Sequence, residues 1–440
     1  MDERLAQMLW PGLGALLSLV CLYFSLRAAK RQRLVENLPT SKTTGVFIGL
    51  VELKGTAEAE QPLQSFLTEQ RCVYYSWSVE EHWSRTVTET YTDSKGVTRT
   101  RTRHESGWKT VDSGGEQIDF YLEDDCGAIR IVPDEAKIEP VTVFDITCSP
   151  TDPLYYAKGP DFAVPHSDHR RRFLERAIPL HESIYVMGKT RERDDIVAPE
   201  IAHDAEAPMF LISTRTEEAV RTGLRWQFWL LGLLGLALCV GGFLVRDAVL
   251  ERDVALFVLT YIAAAIGYVF AWLIGWTWMA YNSLIDLRQR VQQAWSNTDV
   301  QLKRRNDLIP NLVLVVQGMR DHERELQTEL AELRSQLEAT RPGQAGPDHH
   351  ACAPLVAAVI ERYPELKSND SFLQLQQELV STEQRIALAR AYFNDITTFY
   401  NTRLQIIPDR VIAALGRMQA ETLMSAADFE RAPVKVSFAQ

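Results

Sequence analysis

The chain has 440 residues and a formal net charge of −11, a length that predicts two or three domains. The acidic balance argues against a nucleic-acid partner, because nucleic-acid binding depends on basic surfaces. None of the six cysteines forms a C-x-x-C pair, so neither a closed zinc site nor a disulfide framework is expected.

Three apolar stretches are long enough to cross a membrane, which takes about 20 residues. They are residues 8–26, 226–245 and 254–278, and tryptophans and tyrosines lie near several of their ends, as interfacial residues do. Residues 8–26 could also be a signal peptide. Basic residues follow this stretch rather than precede it, which favours a retained anchor.

Charge predicts how the spans are oriented. The connector "RDAVLERD" between the second and third spans is short and slightly acidic, whereas basic residues follow the first span and precede the second. The positive-inside rule therefore predicts that the N-terminus lies outside and residues 27–225 lie inside. The second and third spans form a helical hairpin, so the C-terminal region is again inside. The basic residues are Arg27, Lys30, Arg31, Arg33, Arg215, Arg221 and Arg225.

Residues 45–212 alternate in the manner of β-strands. "GVFIGLVELKG", "CVYYSWSVEEHW", "SIYVMGK" and "PMFLIS" read as strands, and "DFYLEDDCGAIRIVP" reads as two strands around a turn. This region resembles the GIDE-type domain of membrane-flanked E3 ubiquitin ligases over residues 44–222. The resemblance implies a mostly β domain between spans. It does not imply ligase activity, because the chain lacks the cysteine and histidine ligands of a RING finger.

One hairpin in this region is polar on both faces. Residues 84–108 alternate over two runs around Asp93–Gly96, which predicts a hairpin. Its threonines take one face, and Arg99, Arg101 and Arg103 take the other. We interpret the arginine row as a solvated edge, and an anionic lipid or protein partner is the alternative.

The stretch "AWSNTDVQLKRRNDLIPNLV" predicts a corner between two helices. No glycine or proline occurs from Trp276 to Arg305, so the third span can continue as a helix whose stripe is Leu284, Leu287, Val291, Ala294 and Leu302, with Trp295 beside it. Lys303, Arg304 and Arg305 suit the end of that helix. Asn306 suits the N-cap of a second helix. Asp307 and Pro310 both suit the first turn of that helix. Three adjacent cations exceed what capping needs, so they are also a candidate patch for an anionic partner.

A later helix carries apolar residues three and four positions apart, as in a coiled-coil or bundle seam. "YNSLIDLRQRVQQAWSNTDVQLKRRNDLIPNLV", "YPELKSNDSFLQLQQELVSTEQRIALARAYFND" and "FYNTRLQIIPDRVIA" are similar to the LemA family over residues 281–438. The resemblance implies a bacterial, membrane-anchored, antiparallel helical bundle and no established activity. Its corner motif falls on Trp295, Asp299, Asn306, Asp307, Pro310 and Asn311.

Small residues recur at every fourth position of the third span: Ala263, Gly267, Ala271 and Gly275. Such a stripe lets membrane helices approach closely. The predicted partner is either the second span, which carries several glycines, or the same span of another copy.

The sequence contains no P-loop, no G-x-S-x-G and no H-E-x-x-H. His166, Asp168 and His169 could ligate a metal, but a polar loop is favoured. Asp124 and Asp125 indicate a turn rather than acid–base chemistry. No catalytic residue, metal or cofactor is therefore expected.

The predicted fold class is an α+β membrane protein with three transmembrane helices, a GIDE-like β domain and a LemA-like helical bundle. We expect a self-associating scaffold in the bacterial inner membrane with both soluble regions cytoplasmic. Its partners would be membrane lipid, other copies and an unidentified protein. The alternatives are a ubiquitin-ligase-like enzyme and a membrane-remodelling or stress-response protein that binds anionic lipid.

Overall fold

A computed structural model describes residues 3–92, 98–193, 198–205, 207–253, 257–319 and 370–424. The chain divides into two compact units. Thr40–Glu217 form a β unit, and Met1–Pro39 together with Glu218–Gln440 form a helical unit. This division agrees with a β-rich region inserted between the first two apolar helices.

The described residues contain six α-helices and thirteen β-strands. The helices are α1 (Glu3–Glu36), α2 (Leu154–Ala157), α3 (Glu217–Val249), α4 (Val258–Met319), α5 (Asp370–Arg403) and α6 (Asp409–Leu415). The strands are β1 (Thr40–Ser41), β2 (Gly49–Glu58), β3 (Leu63–Gln64), β4 (Arg71–Thr92), β5 (Thr98–Gln117), β6 (Phe120–Glu123), β7 (Ala128–Ile131), β8 (Lys137–Glu139), β9 (Val141–Cys148), β10 (Ser167–Pro179), β11 (Ser183–Glu192), β12 (Pro199–Ala202) and β13 (Leu211–Ser213).

One sheet of the β unit closes on itself as a small barrel. β2 pairs with both β6 and β11, and the path β2–β6–β7–β12–β11 returns to β2. Closure removes exposed strand edges. The barrel interior is filled by alternating apolar side chains of these strands, among them Val51, Leu53, Phe120, Leu122, Ile131 and Ile201.

The second sheet is built on the long strand β4. β4 pairs with β10 between Cys72 and Trp83, and β9 lies beyond β10. β5 pairs with β4 along its whole length. Past Trp83, β4 and β5 therefore continue as a two-stranded ribbon, which confirms the predicted hairpin; its turn at residues 93–97 lies outside the described residues.

Three helices are long and apolar enough to cross a membrane by length and composition. They are Gln7–Glu36, Glu217–Val249 and Val258–Arg305. Most of their large apolar side chains are exposed, for example Leu16, Leu230 and Phe270. Exposed apolar surface of this extent is expected of helices that are solvated by lipid.

Helices α4 and α5 pack side by side and run antiparallel. The ring centroids of Trp295 and Phe393 lie 5.4 Å apart, and farther along α4 the side chain of Arg305 lies 3.7 Å from Glu383. Higher numbers on α4 thus meet lower numbers on α5. The complete bundle stays a prediction, because residues 320–369 lie outside the described residues.

The predicted corner at residues 303–310 is wrong. α4 is one helix from Val258 to Met319 and passes straight through the sequence that suggested a C-terminus and an N-cap. Capping preferences are worth about 1 kcal/mol, whereas ending a helix leaves four carbonyls without intrahelical partners. The apolar stripe continues through Leu302, so packing against α5 favours an unbroken helix.

Candidate functional site

The arginine face of the β4–β5 ribbon is partly neutralised by its own strands. Arg101 lies opposite Glu89, and Arg103 opposite Val87. Arg103 also lies 3.8 Å from Glu105, which pairs with Arg85 at 2.7 Å. Arg101 and Arg103 are exposed, so the face keeps accessible guanidinium groups but is not uniformly basic.

The opposite face of the ribbon is a ladder of threonines, as the alternation predicts. Thr88 pairs with Thr102, Thr90 with Thr100, and Thr92 with Thr98. Opposed threonines of this kind stabilise a strand pair by a few tenths to about 1 kcal/mol. The ribbon therefore has stabilising cross-strand contacts of its own.

The three cations of α4 do not form one surface. Lys303 and Arg304 are exposed, whereas Arg305 is 2% exposed and turns toward Glu383 of α5. Consecutive helix residues point about 100° apart, so one of three neighbours commonly faces the packed side. Arg305 is therefore removed from the candidate anionic patch, which keeps Lys303 and Arg304.

The residues of the expected LemA corner motif lie along α4 rather than around a bend. Trp295 contacts Phe393 of α5, and Asp299 is half-buried on the same helix. Asn306, Pro310 and Asn311 lie on its helical backbone. Their role as a corner is excluded by the unbroken helix, and Asp307 is exposed there instead of capping a new one.

A buried ion cluster joins the end of α1 to α5 and α6, and the sequence did not predict it. Arg33 donates two hydrogen bonds to Asp409, at 3.1 and 2.7 Å. Arg403 donates to Glu36 at 2.5 Å, and its other nitrogen lies 3.6 Å from Asp409. We call Arg33, Glu36, Arg403 and Asp409 the ion cluster.

Two neighbours connect the ion cluster to α4. The guanidinium of Arg33 lies 5.2 Å from the ring centroid of Trp276. Asn37 accepts a hydrogen bond from Arg403 at 3.0 Å and donates one to Ser283 at 3.2 Å. Bidentate arginine–carboxylate pairs fix orientation strongly, so the cluster aligns α1, α4, α5 and α6 at one end of the apolar helices.

The apolar helices pack through glycines, and most of these glycines lie on α3 rather than in the predicted stripe of α4. A Cβ on Gly242 of α3 would lie 2.8 Å from the carbonyl oxygen of Trp10 and 3.1 Å from Cα of Gly14, so α1 and α3 cross in direct backbone contact. A Cβ on Gly232 would lie 2.5 Å from the ring of Trp272. α4 thus packs its large aromatic residues into the glycines of α3.

The stripe itself faces outward within this chain. Ala263, Gly267 and Ala271 are exposed, and no atom lies within 4 Å of a Cβ placed on Gly267. Gly275 meets Leu26 of α1 rather than α3. The predicted packing of this stripe against the second span is therefore wrong, and only a contact with another copy is left open.

Asp124 and Asp125 form a turn, as predicted. Asp124 accepts hydrogen bonds from the backbone N–H groups of Thr43, Cys126 and Gly127, and from the Thr43 hydroxyl. Partial burial raises the pKa of Asp124, but these hydrogen bonds outweigh it and leave the pKa below its ordinary value. With Cys126 the two carboxylates form the only three-ligand group among the described residues, and Asp124 is already saturated by the turn.

The histidines of the polar loop do not converge. Asp168 contacts His82 of β4, with 2.6 Å between its Oδ2 and Nδ1 of His82, while His166 and His169 are exposed. None of these residues belongs to a three-ligand metal group in the part of the chain that the structure describes. Asp168 and His169 belong to β10, and only His166 lies in the turn before it, so the loop interpretation is wrong for Asp168 and His169.

Two family models match separate parts of the chain. The LemA family model matches residues 294–438, and the GIDE model, described as E3 ubiquitin ligase, matches residues 88–245. The first match covers α4 from residue 294 onward, together with α5 and α6. The second covers the ribbon, the rest of the β unit beyond it and most of α3.

Curated relatives resemble about a third of the chain. Magnetosome protein MamQ 2 of Paramagnetospirillum magneticum is 24% identical over 32% of this chain and 64% of its own length. Magnetosome protein MamQ of Magnetospirillum gryphiswaldense is 24% identical over 29% of this chain and 57% of its own length. The chain thus spans about three fifths of the relatives that it matches. Together with the family models, these likenesses show that the chain combines a region of the LemA family with a GIDE-type region.

Proposed function

We propose that the protein is a membrane-anchored scaffold that holds the β unit and the α4–α5 helices at the cytoplasmic face of a bacterial inner membrane. The three apolar helices supply the anchor. The LemA and MamQ likenesses support a membrane-associated protein. The positive-inside charge bias supports a topology in which residues 27–225 and the C-terminal region share the cytoplasmic side.

The observation that carries this proposal is the ion cluster. It lies just past the apolar run of α1 and ties that helix to α5 and α6. Separating a buried ion pair costs several kcal/mol, so the helices cannot shift independently at this level. A rigid connection between anchor and exposed helices is what a scaffold requires.

Topology is tested by labelling engineered cysteines in intact inner-membrane vesicles of known orientation. The cysteines of Thr100→Cys in the ribbon and Thr402→Cys in α5 should react with an impermeant maleimide from the cytoplasmic side. The cysteine of Glu251→Cys should react from the opposite side. The wild-type chain, with its native cysteines, sets the background. If the cysteines at positions 100 and 402 are labelled from opposite sides, the β unit and α5 do not share one side of the membrane, and the proposal is wrong.

A ubiquitin-ligase-like activity is the second candidate, because the GIDE model carries that description. The sequence offers no C-x-x-C pair and only six cysteines, whereas RING fingers bind zinc through closed cysteine and histidine sets. Specific binding of a ubiquitin-conjugating enzyme to the purified chain would support this candidate. If the purified chain does not bind a ubiquitin-conjugating enzyme, the ligase candidate is rejected and the scaffold is retained.

Binding of anionic lipid or an acidic protein is the third candidate. Arg101 and Arg103 on the ribbon, and Lys303 and Arg304 on α4, are exposed cations. Reversal of each pair to glutamate should lower binding to phosphatidylglycerol vesicles if these patches act. Binding that is unchanged by both reversals would exclude them.

A further inference from the structure

Residues 404–417 form a tip that connects α5 to the end of the described chain. Helix α5 ends at Arg403, α6 follows from Asp409 to Leu415, and residues 419–424 then run back along α5. Asn401 exchanges two hydrogen bonds with the backbone of Glu421, at 2.8 and 3.0 Å. Asn394 does the same with Met424, at 3.0 and 2.9 Å. The chain thus turns at residues 404–417, which we call the α6 tip.

The inner face of α6 is packed against α4 where that helix leaves its apolar run. Ile412 and Ala413 form a buried cluster with Ala280 and Leu284. A Cβ on Gly416 would lie 3.0 Å from Cε2 of Tyr281. α6 therefore lies beside α4 from Ala280 to Leu284, directly after the apolar run.

The outer face of the α6 tip is apolar, and its large side chains are exposed among the described residues. Ile407 is 75% exposed, Val411 58% and Leu415 79%. Their spacing of four residues places Val411 and Leu415 on one side of α6 and Ile407 just before it. Arg410 and Arg417 are exposed beside them. Three large apolar side chains in one row are unusual for a surface in water.

The position of this face along the helices indicates what covers it. Tyr281 lies about 5 Å along α4 beyond Trp278, and Arg33 lies about 10 Å along α1 beyond Leu26, at 1.5 Å per residue. The headgroup region of a bilayer is about 5–8 Å thick on each side. Trp278 and Tyr281 are exposed, as expected of an interfacial aromatic belt. The apolar row of the tip is thus continuous with the lipid-facing surface of the spans.

We propose that the α6 tip is an interfacial membrane helix whose row Ile407, Val411 and Leu415 inserts into the boundary between lipid headgroups and acyl chains. Arg410 and Arg417 are placed to contact lipid phosphates. Amphipathic helices bind bilayers in this way, with the apolar face inserted about 5–10 Å. The inference rests on the membrane anchorage proposed above. It adds a monotopic contact made by the C-terminal region itself.

The test places the photo-crosslinker p-benzoylphenylalanine in the full chain, reconstituted in vesicles of phosphatidylethanolamine and phosphatidylglycerol. It replaces Leu415 in one variant, Phe270 of the third span in a second and Val380 of α5 in a third. Phe270 is the positive control and Val380, an exposed apolar residue on the water-facing part of α5, is the matched negative control. Lipid adducts are counted by mass spectrometry after illumination.

Leu415 should give lipid adducts within about threefold of Phe270 and at least about tenfold above Val380, as interfacial insertion implies. Adducts at Phe270 without adducts at Leu415 would overturn the interfacial helix and leave the anchor intact. Absence of adducts at both positions would overturn the anchor and the helix together. Adducts at Leu415 that join two copies or another segment of the chain would also overturn the proposal, because protein would then cover the row.

Discussion

At the scale of single residues, the pair of Arg33 and Asp409 makes the clearest energetic prediction. Asp409→Asn keeps the shape of the side chain but leaves the buried guanidinium of Arg33 without its charged partner. We expect a loss of about 3 kcal/mol in the free energy of unfolding, measured by thermal unfolding of the full chain in detergent.

Glu421→Gln is the matched control for this change. Glu421 pairs with Arg288 at 3.6 Å in a setting where both side chains are about two fifths exposed. Exposed ion pairs contribute about 1 kcal/mol or less. Equal effects of the two variants would contradict a structural role for the ion cluster.

The lowered pKa of Asp124 predicts a pH dependence. The folded pKa lies below the unfolded value, so the charged carboxylate stabilises its turn fully above pH about 4. That stabilisation is lost as the pH falls through the folded pKa. Amide hydrogen exchange of residues 120–131, corrected for the intrinsic rate, should show easier opening at low pH.

Asp124→Asn separates the charge from the turn. The variant keeps an oxygen acceptor but cannot titrate, so its protection in residues 120–131 should be lower than in the wild type above pH 4. The difference should shrink at lower pH. A difference that stays constant across this range would assign the pH dependence to another group.

Residue-level expectations succeeded where the pattern is local. The alternation of residues 98–103 predicts the arginine and threonine faces, because the period of a strand is a property of neighbouring residues. The Asp124 turn follows from its own sequence in the same way. Arg33 and Asp409 are 376 positions apart, and no local pattern in one chain connects two such residues.

At the scale of elements, the crossing of α1 and α3 predicts a sharp difference between adjacent glycines. Gly242→Leu places a side chain against the backbone of Trp10 and Gly14, whereas a Cβ on Gly241 meets no atom within 4 Å. We expect Gly242→Leu to destabilise the chain by about 1–3 kcal/mol. Gly241→Leu should leave the unfolding temperature in detergent unchanged, and equal shifts would contradict this crossing.

The ribbon predicts tolerance to deletion. Residues 86–92 and 98–104 pair only with each other among the described strands. Replacement of residues 87–103 by an Asn-Gly turn keeps the Thr86–His104 pair at its base and should preserve the rest of the β unit, because this dipeptide suits a two-residue hairpin. Hydrogen-exchange protection of β10 reports the outcome. Loss of protection there would mean that the ribbon supports the sheet.

Element-level predictions failed where local preferences competed with packing. Apolar length identifies the three long helices, since it depends on composition alone. The cations and Asn306 suggest a helix boundary, but the stripe through Leu302 packs on α5 and keeps α4 continuous. Of the two partners expected for the small-residue stripe, the second span is wrong and another copy stays a prediction, because spacing identifies a face and not what that face meets.

At the scale of the whole molecule, the outward stripe of α4 provides a test of self-association. Gly267→Leu fills the stripe without touching the rest of the chain, so the unfolding temperature should not change. If copies associate through this face, crosslinking between copies in native membranes should fall. Gly223→Leu, which is equally open but lies outside the apolar run, is the control.

Two outcomes would contradict self-association through the stripe. The wild-type chain could show no crosslinks between copies, or Gly267→Leu could leave them unchanged. The first outcome would remove self-association from the scaffold proposal. The second would assign it to another surface.

The unbroken course of α4 also sets a length. Its 62 residues extend about 93 Å, of which about 60 Å lies beyond Trp278. A sharp corner at residue 305 would instead have directed the following residues back along α4. If the helix is anchored as proposed, its unbroken length places Met319 up to about 60 Å beyond Trp278 along the helix axis, about twice the thickness of the hydrocarbon core.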